Sequence, residues 1–238
     1  MPRAGSGWHY NLIHDLVVAN GGRAARDIRT RYHLEWALTA VNCNIGTLSP
    51  HRLLAVSMPS LLPGNHFVIK AHAGPTASAR LLMRLCLLRV AYIYRDPRDA
   101  LLSSLEHGKH SRQSGHHNAF AGLTDFHSGL TFMQTYVAIS QAWLAQPGVL
   151  ATRYEDFITA YDTEASRIAR FLQADPQTPA IQQVITRYRP KQAAESEQKG
   201  LHFRKGKIGR FREAFTPAEQ EICWQTFGAY LEHMGYPP

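Results

Sequence analysis

Short apolar runs bounded by turn or charged residues recur three times along this 238-residue chain. They cover residues 67–70, 90–94 and 149–154, and each is rich in β-branched or aromatic side chains. Runs of this length that lack alternation with polar residues are typical of strands buried on both faces. The pattern therefore predicts three buried strands of a parallel sheet.

The longer segments around these runs carry apolar residues at helical spacing. They predict helices over residues 8–19, 77–88, 97–106, 124–145 and 157–172. A last helix is predicted after Thr216, which suits the N-cap, with Pro217 at the first helical position and Glu219 at the third. Strands that alternate with helices predict an α/β fold, with a central parallel β-sheet flanked by helices in one domain over residues 1–238.

Composition adds a charge to this picture. The chain has 26 basic and 18 acidic residues, a formal net charge of +8 and a sequence pI near 9.6. Such an excess indicates an anionic partner, which could be nucleic acid, a membrane surface or a phosphorylated small molecule, or else only a solvated basic surface. The basic residues recur in short clusters beside glycine and serine, which favours a compact anion over a polymer.

Cysteine usage and hydropathy indicate a cytoplasmic protein without a membrane partner. Cys43, Cys86 and Cys223 are far apart and form no CxxC or zinc-ligand spacing, so we expect neither a disulfide framework nor a structural metal. The most apolar stretch, residues 81–94, is interrupted by Arg84 and Arg89 and is too short to span a bilayer. The N-terminus lacks the apolar core of a signal peptide.

Ligands of parallel sheets bind beyond the carboxyl ends of the strands, so the junctions between elements are where a site is expected. Residues 2–8, which lead into the first helix, combine Arg3 and Ser6 with two glycines. Glycines allow close approach of the backbone, and amides at a helix N-terminus attract an anion. The Walker A spacing is absent, and a plain turn is the alternative interpretation.

Two further junctions are rich in basic residues. Arg95 ends a predicted strand, Pro97 suits the start of the next helix, and Ser103 on that helix could join Arg95 in holding a phosphate. Residues 203–211 place four basic residues around two glycines, which is typical of an anion-binding loop. The alternatives are a helix start with surface arginines for the former and a basic loop that binds nucleic acid for the latter.

Taken together and in order, five elements resemble those of the sulfotransferases of cytosolic and bacterial type that use 3′-phosphoadenosine 5′-phosphosulfate (PAPS). The resemblance rests on Pro2, Arg3, Ala4, Gly5, Ser6 and Trp8, which fit P-[KR]-[SA]-G-[ST]-[ST]-W except at Gly7; on Lys70, Ala71 and His72, which fit K-[TSA]-H; on Arg95, Pro97, Asp99 and Ser103, which fit R-x-P-x-D-x-x-x-S; on Tyr154, Glu155 and Asp156, which fit [FY]-E-D; and on Arg204, Lys205, Gly206 and Gly209, which fit R-K-G-x-x-G.

The resemblance implies a role for each matching residue and a P-loop-like loop that binds the 5′-phosphosulfate. That loop would hold the group through Arg3, Ala4, Gly5, Ser6 and Gly7; the 3′-phosphate would be held by Arg95, Ser103, Arg204, Lys205 and Gly206; Trp8 would stack on adenine and Tyr154 would line that pocket; and His72, Lys70 and Arg3 would be catalytic. The co-substrate would be PAPS and the product PAP, with no metal.

The chemistry of sulfuryl transfer supports these catalytic roles independently. The acceptor hydroxyl must lose its proton, and a histidine such as His72 can accept one near neutral pH. Charge that develops on the peripheral and leaving oxygens must be met by fixed cations, here Lys70 and Arg3. A structural histidine at a strand end is the alternative for His72.

Two departures from the family pattern matter. The family places a strand directly before the phosphosulfate loop, whereas this chain begins Met1-Pro2, so we expect the native chain to begin at least one strand upstream. Gly7 stands where the family commonly has a hydroxyl, so we expect one phosphate contact to be lost. These departures leave open a degenerate protein that binds the nucleotide without turnover.

The sequence also bears on the enzyme class and on the acceptor. A P-loop nucleotide phosphotransferase is disfavoured because the Walker lysine–serine pair is missing, and a basic nucleic-acid-binding protein predicts steep salt dependence. The acceptor could be a small molecule or a glycan, since the fold does not fix it.

A cluster of histidines at 107, 110, 116 and 117 indicates either a metal site or, more simply, a mobile loop over the acceptor. Aromatic residues that could line the acceptor site or belong to the core are Tyr10, Trp36, Phe120, Phe126 and Phe132.

Overall fold

The structure, a computed structural model, describes residues 1–115, 118–198, 200–201 and 206–238. In chain order its elements are α1 (Ser6–Ala19), α2 (Ala25–Arg31), α3 (Pro50–Ser57), a 3-10 helix (Met58–Leu61), α4 (Ala77–Arg84), β1 (Ala91–Tyr94), α5 (Pro97–Gln113), α6 (Phe126–Leu144), β2 (Leu150–Arg153), α7 (Tyr154–Thr159), α8 (Tyr161–Phe171), α9 (Pro179–Arg187), α10 (Pro190–Glu195), α11 (Phe211–Ala214) and α12 (Pro217–His233).

The chain divides into two compact units, which are described separately. The first unit contains residues 1–4, 94–141 and 207–238, and the second contains residues 5–93 and 142–206. The prediction of one domain over the whole chain stays a prediction.

The sheet of the structure is small. Strands β1 and β2 pair in parallel, and the backbone N–H of Leu150 donates to the carbonyl of Val90 at 2.9 Å. The chain between the two strands contains α5 and α6, the crossover that parallel strands require. Two of the three predicted strands are thereby confirmed, and so is the α/β class. Strand β1 is one residue shorter at its start, and β2 is one residue shorter at each end because Tyr154 begins α7.

The third predicted strand, residues 67–70, is wrong except at its last residue. Lys70 forms one parallel bridge with Asn44, through hydrogen bonds from Ile45 to Lys70 at 2.9 Å and from Lys70 to Cys43 at 3.2 Å. In this parallel register residues 67–69 would pair with residues 41–43, but Cys43 takes a φ of 42° and residues 40–42 form a turn, so that segment is not extended. The described chain gives the rest of this run no strand to pair with.

The helices follow the predicted pattern with shifted ends. Segment 157–172 forms two helices, α7 and α8, because Ala160 leaves the helical region at a φ of −126°. Helix α4 ends early, shortly before Cys86 takes a φ of 56°, and α5 continues beyond the predicted end to Gln113. The capping box at Thr216 and Glu219 is confirmed at the start of α12.

The core of the second unit forms around α1, which packs against α8 and α9. The indole of Trp8 lies 4.0 Å from the ring of Phe157 and 5.6 Å from that of Tyr161, measured between ring centroids. In the first unit, α5 packs against α11, and the Arg98 guanidinium lies 4.2 Å from the centre of the Phe211 ring. Among the described residues, no helix is both long and apolar enough to cross a bilayer.

Candidate active site

The first turn of α1 lies in the second unit and begins at the loop predicted to bind the phosphosulfate. Its N-cap, Gly5, has a φ of 73°, a conformation that glycine adopts without strain. A Cβ at this position would lie 2.9 Å from the Tyr154 ring, so Gly5 also allows close contact with that side chain. The amides of Ser6 and the residues after it form the helix N-terminus, which favours an anion.

Gly7 is explained by packing. A Cβ at Gly7 would lie 2.5 Å from the carbonyl oxygen of Gly200 and 2.7 Å from that of Leu201. The amide of Asn11 donates to the carbonyl of Gly7 at 2.7 Å and to that of Gly200 at 3.4 Å. Asn42 donates to the same Gly200 carbonyl at 3.2 Å. Gly7, which breaks the family pattern, therefore allows the backbone at residues 200–201 to approach the first turn of α1. Asn11 and Asn42 hold that backbone in place through Gly200.

Trp8 and Tyr154, predicted for the adenine pocket, are both buried in this unit. The Trp8 indole N–H donates to the carbonyl of Tyr188 at 2.8 Å, and its ring packs on Phe157. No part of Trp8 reaches solvent, so its stacking on adenine stays a prediction.

In the first unit, three predicted ligands of the nucleotide lie together. The Arg3 Nε donates to the Ser103 hydroxyl at 3.1 Å, and Arg95 Nη1 donates to the carbonyl of Arg3 at 3.3 Å. Arg3 has a φ of 57°, an uncommon conformation for a residue other than glycine. Arg3, from the N-terminal loop, thus contacts Ser103 and Arg95, both predicted to hold the 3′-phosphate.

Asp99 organises this cluster. Its carboxylate is buried and accepts hydrogen bonds from Arg95 Nη2 at 3.1 Å, from the amide of Gly209 at 2.7 Å and from the amide of Phe211 at 3.1 Å. Sequence reasoning matched Asp99 to the family motif but gave it no role. The signal was its spacing, because Arg95 and Asp99 stand four residues apart at a helix start.

The basic loop near residue 206 is described only in part. Arg204 and Lys205 lie outside the described residues. Gly206 has a φ of 58°, and the carbonyl of Lys207 accepts a hydrogen bond from Arg95 Nη2 at 2.9 Å. The end of the glycine motif is therefore tied by its backbone to Arg95.

In the second unit Lys70 forms the bridge to Asn44, and His72 lies two residues further along the chain. Burial, assisted by the charge of Lys70, lowers the pKa of His72 to about 3. The imidazole is therefore neutral throughout the physiological range. The Trp143 indole N–H donates to the carbonyl of Ala73 at 2.9 Å and fixes the backbone just after His72. Sequence reasoning missed this anchor, which depends on contact between distant segments.

His9 is a second buried histidine, which sequence reasoning did not single out. It is 4% exposed, and its ring meets Phe157 edge-on at 5.8 Å between centroids. Its Nε2 has no hydrogen-bond partner among the described residues. Burial, with smaller contributions from nearby positive charges that include Arg167 and Lys70, lowers the pKa of His9 to about 3.

The remaining candidates divide between core and surface. Tyr10 is buried and Trp36 is exposed, whereas Phe120 packs on Phe132 at 5.5 Å and Phe126 on Phe215 at 5.3 Å between ring centroids. Of the clustered histidines, His107 packs against Phe120, while His116 and His117 lie outside the described residues. No group of three potential metal ligands occurs in the part of the chain that the structure describes.

Comparison with known proteins identifies the family. The model of the sulfotransferase domain matches residues 47–235. No curated protein is significantly similar in sequence to this chain. A solved structure of mouse sulfotransferase SULT7A1 complexed with PAP is similar with a TM-score of 0.66 and 15% identity, over 97% of this chain and 81% of that one. Retinol dehydratase with androsterone and inactive cofactor PAP gives a TM-score of 0.59 and 17% identity, over 96% and 78% of the two chains.

The chain therefore belongs to the sulfotransferase domain family, since the match covers most of its length. The predicted family, the sulfotransferases, and the predicted α/β fold are confirmed.

The contact at Gly7 can be tested by adding one methyl group. We expect Gly7→Ala to destabilise the protein by about 1–3 kcal/mol, because the new Cβ would clash with two backbone carbonyls that cannot rotate away. Urea denaturation measures this cost. Gly122→Ala is the control, since a Cβ there meets no atom within 4 Å. Equal midpoints for the two variants would contradict the packing explanation.

The buried His9 predicts a pH dependence of stability. Between about pH 3 and 6.5 the unfolded chain binds a proton at His9 that the folded chain does not, so the free energy of unfolding falls as pH decreases through this window. We expect His9→Leu to reduce that slope by up to about 1.4 kcal/mol per pH unit. Denaturation at several pH values measures it, with the exposed His110→Leu as control. An unchanged slope in His9→Leu would show that His9 titrates alike in both states.

Proposed function

We propose that this enzyme transfers the sulfuryl group of PAPS to the hydroxyl, or the amine, of a small-molecule or glycan acceptor by in-line displacement. The acceptor oxygen or nitrogen attacks sulfur, the bond from sulfur to the bridging phosphate oxygen breaks, and PAP leaves with the electron pair. The acceptor proton goes to His72. The observation that carries this proposal is a chain of contacts: Asp99 holds the Arg95 guanidinium, Arg95 donates to the backbone carbonyl of Arg3, and Arg3 donates to Ser103.

The cluster has the chemistry needed for the 3′-phosphate. Arg95 is buried, and a guanidinium with several donors matches the oxygens of a phosphate. Asp99 orients this guanidinium before the ligand arrives. Ser103 adds a neutral donor beside Arg3. By the family resemblance, Arg204, Lys205 and Gly206 complete the phosphate site.

The first turn of α1 is the proposed cradle of the 5′-phosphosulfate. Its amides are polarised by a 14-residue helix, and Ser6 offers a hydroxyl beside them. Gly7 contributes its amide without a side chain, which fits the family pattern less one hydroxyl. Ala4 and Gly5 provide the turn that leads into the helix, and Arg3 stabilises the negative charge that develops on the leaving phosphate oxygen.

His72 and Lys70 are the proposed catalytic residues of the second unit. The lowered pKa keeps the imidazole of His72 unprotonated, which is the form that a general base requires. A pKa of about 3 makes it a weak base in the free enzyme. The negative charge of bound PAPS favours the imidazolium and raises this basicity when it is needed. Lys70, whose backbone forms a bridge with Asn44, is proposed to stabilise the charge on the sulfuryl oxygens.

A hydroxyl acceptor is supported by the solved structures of similar fold. One neighbour is described with androsterone and another, retinol dehydratase in a complex with retinol and PAP, matches with a TM-score of 0.55 and 18% identity over 85% of this chain. These ligands favour a small-molecule alcohol over a glycan for this chain as well.

Calorimetric titration tests the proposed co-substrate. We expect PAP to bind without added metal, and ATP with Mg²⁺ to bind far more weakly, since the site recognises a 3′-phosphate. Measurement at two salt concentrations separates a compact site from polyelectrolyte binding, which would weaken steeply with salt. Turnover is then measured with PAPS and a panel of small alcohols. Folded protein that fails to bind PAP would overturn the proposal, and binding without turnover of any acceptor would assign the degenerate protein instead.

A comparison of variants tests the division of roles. We expect His72→Ala to abolish turnover and leave PAP affinity largely intact, because the histidine contacts the acceptor proton. Arg95→Ala should weaken PAP binding by roughly 1.5–3 kcal/mol for each charged hydrogen bond lost. Ser103→Ala should weaken it less, and the exposed Arg170→Ala is the matched control. Equal losses of PAP affinity in His72→Ala and Arg95→Ala would show that the roles are wrongly assigned.

A further inference from the structure

A group of large apolar side chains is exposed on one part of the second unit. Eight such residues between positions 36 and 87 are at least half exposed: Trp36, Leu54, Met58, Leu61, Leu62, Leu81, Leu85 and Leu87. Among the residues that the structure describes, no other large apolar side chain is half exposed. Single exposed leucines are ordinary on a protein surface, but a concentration of them marks an interaction site.

These side chains form stripes along two helices that pack against each other. Helix α3 buries Leu53 and Val56 and exposes Leu54. The 3-10 helix that follows exposes Met58, four residues after Leu54, and Leu61, three residues after Met58. Spacings of three and four place side chains on one helix face. On α4, which packs against α3, Leu81 and the following Leu85 are again four residues apart. We call these two stripes the leucine surface.

The charge of this region has one sign. Residues 36–93 contain five lysines and arginines and no aspartate or glutamate. On α4 the exposed Arg80 and Arg84 flank Leu81, so cationic and apolar side chains alternate along the same helix. A face that presents leucines beside exposed arginines complements a surface that is apolar below and anionic above.

Trp36 adds an amphipathic ring. It is exposed, its indole stacks on His51 at 6.0 Å between centroids, and the Arg52 guanidinium lies 5.9 Å from its ring. Tryptophan beside cationic side chains is the composition found where a protein meets the headgroup level of a bilayer.

We propose that the leucine surface docks the enzyme peripherally on an anionic lipid bilayer. The leucines enter the boundary between headgroups and acyl chains, and Arg80 and Arg84 contact lipid phosphates. This differs from the sequence-based expectation of no membrane partner, and it is independent of sulfuryl transfer. A second copy of this chain fits the surface less well. In a two-fold interface the same patch faces itself, and here only positive charges would meet.

Vesicle sedimentation tests the proposal. The purified chain is mixed with vesicles of phosphatidylcholine alone, or of phosphatidylcholine with phosphatidylserine, and the bound fraction is measured at low and high salt. We expect binding to the anionic vesicles, weakened by salt, and much less binding to the neutral ones. Equal binding to both kinds, or to neither, overturns the proposal.

Matched pairs of variants locate the contact. Arg80→Gln with Arg84→Gln should lower affinity for anionic vesicles about tenfold, and Leu81→Gln with Leu85→Gln by a similar factor. Controls are Arg170→Gln with Lys191→Gln, which remove the same charge from α8 and α10, and Val18→Gln on α1. Circular dichroism checks that every variant is folded. The proposal would be overturned if the control variants lost as much vesicle binding as the test pairs. It would also be overturned if the wild-type chain self-associated and the leucine variants abolished that self-association but still bound vesicles.

Discussion

The buried carboxylate of Asp99 is the interaction on which the proposed phosphate site depends. It accepts hydrogen bonds from the Arg95 guanidinium and from the amides of Gly209 and Phe211, so two segments of the first unit, residues 95–99 and 209–211, meet at one charge. Breaking such a buried pair by removing one partner costs about 3–5 kcal/mol, because a charge is left without compensation. Arg95 is thereby oriented before any ligand binds, which lowers the entropic cost of binding.

In the second unit, backbone contact rather than charge positions the helix that begins the phosphosulfate loop. Gly7 has no side chain, so the carbonyls of Gly200 and Leu201 come close to the first turn of α1. Asn11 extends this contact, since its carbonyl accepts from Gln198 at 3.0 Å while its amide donates to Gly7. Tyr188 continues the network from Gln198 to Asp15, whose carboxylate accepts the Tyr188 hydroxyl at 2.8 Å. A departure from the family motif is thus compensated by polar side chains that no local pattern reveals.

Features that depend on neighbours in sequence could be predicted, and features that depend on distant contacts could not. The capping box at Thr216 and the two paired strands follow from local spacing. The contacts of Arg3 with Ser103 and Arg95 join distant segments, and the ligand roles of these residues stay predictions. The run at 67–70 has the composition of a strand, but a strand also needs an extended partner, and the segment before Asn44 is a turn that ends in Cys43 at a φ of 42°. The burial of His9 and the anchor from Trp143 to Ala73 depend on tertiary packing and have no sequence signal of their own.

Two groups of basic residues in this chain differ physically. Arg80, Arg84 and Arg89 are exposed within residues 36–93, a stretch that contains no aspartate or glutamate and in which large apolar side chains are exposed. The Arg95 cluster instead encloses its guanidinium and pairs it with Asp99, an arrangement suited to a single compact anion. A buried, oriented charge recognises geometry, whereas exposed charges on long flexible side chains respond to the average potential of an extended surface. Composition alone predicted an anionic partner, but only burial separates a nucleotide site from a lipid-facing surface.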